Sequence, residues 1–108
     1  MDPDIAAMTR VVGEARTQIR ENALPRARTR RADVPRPDEA ALLGALADLL
    51  DTARELAETI GPRMTTPDAR ASYGWAGRRL REQAENLRAD ERKLAADAAD
   101  TQAPTAAG

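Results

Sequence analysis

Apolar residues recur along this chain at steps of three and four, the spacing that lines one side of an α-helix. Ile5, Met8, Val12, Ala15 and Ile19 line a first predicted helix over about 3–22. Leu42, Leu46, Leu49, Ala53, Leu56 and Ile60 line a second over 37–60, and Leu43, Leu50 and Ala57 widen its stripe. Such breadth suits a helix that touches two neighbours. A third helix over 67–99 carries Tyr73, Leu80, Leu87 and Leu94 seven residues apart, with Ala76, Ala84 and Ala98 between them and Glu91 interrupting. That is a coiled-coil-like seam, thin and rich in alanine.

The polar punctuation agrees with these boundaries. Asp2-Pro3-Asp4, Arg36-Pro37-Asp38-Glu39 and Thr66-Pro67-Asp68 each place a proline where a helix tolerates it, followed by acidic residues at the positive end of the helix dipole. Asp2 and Thr66 can also cap free amides. Gly61 stands where a left-handed helix cap belongs, and Pro62 forbids continuation. The six residues 61–66 are short enough to force an antiparallel hairpin. The stretch 23–36 reads as a mobile linker, with Pro25, Pro35 and five arginines against Asp33. Residues 101–108 are expected to be a disordered tail. The predicted fold is all-α: a single domain over 1–100, a three-helix bundle in which the first helix packs across a hairpin of the other two.

Composition narrows the chemistry. Of 108 residues 24 are alanine, and only 21 are larger apolar ones. With neither cysteine nor histidine, the chain offers no disulfide, Cys/His zinc site, thiolate nucleophile or imidazole base. Ser72 is the one serine, with neither histidine nor a nearby lysine to activate it. A net charge of -1 gives no overall attraction to nucleic acid or anionic membrane. The longest strongly apolar stretch, 40–50, is far below the roughly 20 residues that cross a bilayer. Asp2 and Asp4 have the wrong sign for a signal peptide, so a cytoplasmic location is expected.

Three constellations stand out. Asp48, Asp51, Glu55 and Glu58 form an acidic stripe on the second helix, and Glu82 and Glu85 make a second ExxE pair on the third. Paired carboxylates on facing helices can hold Mg²⁺ for phosphate chemistry. The arrangement resembles the ExxE…ExxD pattern of MazG-type nucleoside triphosphate pyrophosphohydrolases, with Glu85 where that pattern has Asp. The alternative reading is a solvated face paired with arginines of the third helix. Arg26, Arg28, Arg30 and Arg31 could contact phosphates of a nucleic acid, although no aromatic residue interleaves them. Tyr73-Gly74-Trp75-Ala76-Gly77 gathers both aromatic residues and two glycines, which would let another helix, the first one, approach closely. Trp75 is the best single hot-spot candidate.

Leu24-Pro25, the leucine-rich second helix (Leu42, Leu43, Leu46, Leu49, Leu50), the turn Pro62-Arg63-Met64 and the tryptophan-bearing last helix together resemble a group of small, uncharacterised actinobacterial proteins labelled as associated with natural-product biosynthesis. The resemblance covers about residues 5–95 and implies no activity and no functional residue. The expected function is therefore a small non-enzymatic helical interaction or accessory module, needing no cofactor or metal. A Mg²⁺-dependent hydrolase and a nucleic-acid accessory factor are the alternatives. If the two hairpin helices start level, the third outruns the second by about 13 Å at 1.5 Å per residue. Leu94 would then be exposed in a monomer. A protein partner or homodimer is accordingly expected on the third helix, through Leu80, Leu87, Leu94, Tyr73 and Trp75.

Overall fold

A computed structural model describes residues 1–102, which are helical apart from short connections; no strand occurs among them. The chain divides into two compact units, 1–33 and 34–108.

The first unit begins with α1 (Pro3–Gln18), a π-turn (Ile19–Ala23) and α2 (Leu24–Thr29). Asp2 caps α1 as expected, its Oδ1 accepting from the amides of Asp4 at 2.8 Å and Ile5 at 3.2 Å. The helix does not stop before Pro25, as the linker assignment required. A proline has no amide to donate, and its ring crowds the carbonyl four residues back. The widened turn, in which the Leu24 amide reaches the Ile19 carbonyl, absorbs both defects. Helical backbone therefore continues to Thr29, and the extended connection shrinks from 23–36 to 30–35. Arg30 ends α2, donating from Nε to the Ala32 carbonyl and from Nη2 to the Asp33 carbonyl, each at 2.9 Å. No residue of α1 or α2 is buried, and Ile5, Val12 and Ile19 of the apolar stripe are exposed.

The second unit is a helical hairpin: α3 (Arg36–Ile60), a 3₁₀ turn (Gly61–Arg63) and α4 (Pro67–Gln102). Both long helices begin at the predicted proline-acidic signals, and Thr66 Oγ1 accepts from the Ala69 amide at 3.3 Å. Thr101 and Gln102 close α4; the rest of the predicted tail lies outside the described residues.

Gly61 departs from expectation. It keeps right-handed helical angles, φ -53° and ψ -49°, and no glycine has positive φ among the described residues. The chain turns because Pro62 closes a 3₁₀ turn that ends at extended Met64. Glycine is needed at 61 for space, since a Cβ there would stand 3.0 Å from the Cβ of Tyr73.

The same close approach recurs along the seam. A Cβ on Gly77 would meet Glu58 Cγ at 3.1 Å, and one on Gly44 would meet Glu91 Oε2 at 2.8 Å. Gly77 thus admits α3, while a Cβ on Gly74 would meet nothing within 4 Å. Among the described residues Ala47, Ala57 and Ala84 are the buried apolar side chains, and Leu43, Leu50, Leu80, Leu87 and Leu94 are half-buried beside them. Small residues at the contact bring two helix axes close; larger ones would hold them apart.

This register overturns the expected overhang. Because Gly61 lies against Tyr73 rather than Pro67, α3 is displaced along α4 by about two turns. Gly44 then faces Glu91, and Leu94 is half-buried within reach of the first turns of α3. The heptad leucines of α4 are half-buried along the hairpin's own seam.

Candidate functional site

The geometry of α3 follows from that seam. Ala40, Ala47, Arg54 and Gly61 recur every seven residues on the side facing α4, with Leu43, Leu50 and Ala57 beside them. One flank, carrying Asp48, Asp51 and Glu58, borders the arginines of α4. The other carries Leu42, Leu46, Leu49, Ala53, Leu56 and Ile60, which sequence periodicity placed at the centre of the buried stripe.

The acidic flank is an ion-pair network. Arg54 projects from the seam with its side chain 17% exposed, its Nε 2.8 Å from Asp51 Oδ1 and its Nη1 2.7 Å from Glu58 Oε2. Arg81 of α4 donates to Glu58 Oε1 at 2.8 Å, and Arg88 Nη2 lies 3.0 Å from Asp48 Oδ1 and 3.8 Å from Asp51 Oδ2. Asp51, Arg54, Arg81 and Arg88, with Ala84 and Glu85, line a shallow open depression of about 370 Å³. The hydrogen bond from Arg54 holds the Asp51 carboxyl below its ordinary value, with the charges of Arg54, Arg88 and Arg81 adding and partial burial opposing. The same contact raises Arg54.

A group whose folded value is depressed stabilises the fold above its unfolded value and loses that contribution as pH falls through the folded one. The thermal midpoint should therefore fall below about pH 4, near the ordinary aspartate value. The deficit of Asp51→Asn relative to the parent should shrink between pH 5 and pH 2. A deficit that stays constant across a pH series of melting curves would detach Asp51 from this network.

The ExxE pairs do not converge as metal ligands. Glu58 is held by two arginines, while Glu55 is 67% exposed with Arg54 Nη2 at 3.7 Å. Glu82 and Glu85 are exposed on α4. Among the described residues no three acidic groups are placed to hold a metal ion.

The other predicted site residues lie apart. Arg26 and Arg28 are exposed on α2, Arg31 is exposed just beyond it, and the Arg30 guanidinium is occupied by its own turn. Trp75 is exposed on α4, with the guanidinium carbons of Arg78 and Arg79 at 5.5 and 5.4 Å from its ring centre. That arrangement is a one-turn cation–π cluster. Tyr73 packs by its Cβ against the Gly61 backbone and is otherwise near the surface.

The feature that periodicity misplaced is the outer face of α3. Leu42 is 64% exposed, Leu46 44%, Leu49 42% and Leu56 39%. Ala45, Thr52 and Thr59 continue this face, which carries no charge from Leu42 to Ile60. At 1.5 Å per residue it is about 27 Å long. The sequence signal was available in the small residues: alanine and glycine at 40, 44, 47, 57 and 61 mark the close seam, which displaces the leucine row to one side. No helix among the described residues is long and apolar enough to cross a membrane.

Compared with protein-family models, with curated proteins and with solved structures, the chain matches none.

Proposed function

We propose that this chain is a small, non-enzymatic, cytoplasmic interaction module whose working surface is the outer leucine face of α3. The observation that carries this reading is the uncharged row Leu42, Leu46, Leu49 and Leu56, exposed on a hairpin whose buried apolar side chains are alanines. An apolar surface of this length, rimmed by charge, is the form that a helix-binding interface takes. Of the carboxylates that a phosphate-transfer site would need, Glu58 is engaged with Arg54 and Arg81, and Glu55 lies 3.7 Å from Arg54. Leu80, Leu87 and Leu94 of α4 are half-buried along the hairpin, which favours the α3 face over them as the working surface.

The test compares the full chain with Leu46→Asp, both immobilised, for association with other polypeptides. The parent should retain a helical partner that the variant loses, while circular dichroism of the two remains alike. Pyrophosphate release from a nucleoside triphosphate with Mg²⁺, abolished by Glu55→Gln, would overturn the reading.

A further inference from the structure

The uncharged face of α3 ends in charges of opposite sign. Glu39 stands three residues before Leu42, and Arg63 three residues after Ile60. The helical angles of Gly61 and the 3₁₀ turn carry the backbone on to Arg63, so both charges continue the same row. Neither makes a salt bridge among the described residues. From Glu39 through Leu42, Leu46, Leu49, Ala53, Leu56 and Ile60 to Arg63, the steps alternate three and four and read the same in both directions. A two-fold axis through the centre of the row superimposes its positions on themselves.

We infer that the occupant of this face is a second copy of the chain, with the two α3 helices packed antiparallel about a two-fold axis. Leu42 then meets Ile60 of the second copy, Leu46 meets Leu56, and Leu49 meets the small Ala53. Each Glu39 lies beside the other copy's Arg63. Every contact occurs twice, as an isologous interface requires. A parallel arrangement would set Glu39 against Glu39 and Arg63 against Arg63, and the charges reject it. The helix dipoles also favour the antiparallel pair. The product is a four-helix bundle of two hairpins, whose leucines supply the apolar core that each hairpin lacks. This inference rests on the proposed role of the α3 face as an interaction surface.

Sedimentation of the full chain over a concentration series should give a species of twice 11.7 kDa. Leu49→Asp removes two leucine contacts per dimer and should weaken it about 100-fold. Glu39→Arg and Arg63→Glu should each weaken it about threefold, and the double exchange within one chain should restore it. The chain has no cysteine. Mixed Glu39→Cys and Arg63→Cys proteins should therefore cross-link to each other under mild oxidation, while either alone stays unlinked.

A monomer at high micromolar concentration, a dimer indifferent to Leu49→Asp, or links formed by Glu39→Cys alone would each overturn the inference. A monomer that nevertheless binds a foreign helix, and loses it in Leu46→Asp, would keep the interaction surface and reject the second copy. A monomer that binds none would remove both.

Discussion

Ala47→Leu should lower the thermal midpoint of the hairpin by about 10–20 °C. Ala47 is 0% exposed. Its neighbours in the seam are brought close by residues with little or no side chain, as the 2.8 to 3.1 Å approaches around Gly44, Gly61 and Gly77 show. Three additional carbons at this position have no void to enter, so the helices must separate. Overpacking of this kind costs about 1–3 kcal/mol. In a domain of this size each kcal/mol moves the midpoint by about 4–8 °C. Separation would also stretch the pairs from Arg81 to Glu58 and from Arg88 to Asp48, which bridge the two helices. The same substitution at exposed Ala45 should leave the midpoint within a few degrees, because its side chain enters no seam. Equal effects at 45 and 47, measured by circular dichroism melts, would show that the helices are not held at this distance.

Leu87→Asp should have a still larger effect on the fold. Leu87 is half-buried in the seam, on the stretch of α4 that presents Ala84 and Arg88 to α3. The substitution removes apolar burial worth about 1.5–3 kcal/mol. It also places an unpaired carboxylate at a half-buried position of the seam, where desolvation disfavours the charge. Lost burial and an uncompensated charge act together, and the variant should have lost most of its cooperative helical melt at 25 °C. Leu49→Asp, on the uncharged outer face, should keep its helicity and change association instead. If Leu87→Asp melted like the parent and Leu49→Asp did not fold, the two faces of α3 would have to be exchanged.

The all-helical class and the starts of the long helices were legible because they depend on local chemistry. Pro37 and Pro67 suit the first turn of a helix, Asp2 and Thr66 supply caps, and apolar spacing of three and four needs no knowledge of neighbours. The acidic stripe was equally legible, and so was its pairing with arginines of the facing helix. The first helix was cut short because Pro25 breaks an α-helical hydrogen-bond pattern. Whether a π-turn takes up the break depends on a balance that residue type alone does not resolve.

The sequence by itself determined where helices form and that they are thinly apolar; tertiary structure decided which side of α3 meets α4 and in what register. Periodicity identifies a broad apolar stripe but gives no direction within it. Leu42, Leu46, Leu49 and Leu56 are the larger residues, yet the seam takes Ala47, Ala57 and Gly61, because two helices approach most closely where side chains are smallest. Register followed from the same cause. The contact of Gly61 with Tyr73 slides α3 along α4 and brings Leu94 into the hairpin. Local propensity is a property of each residue with its near neighbours in sequence, whereas close approach is a property of two surfaces, and only their packing selects between them.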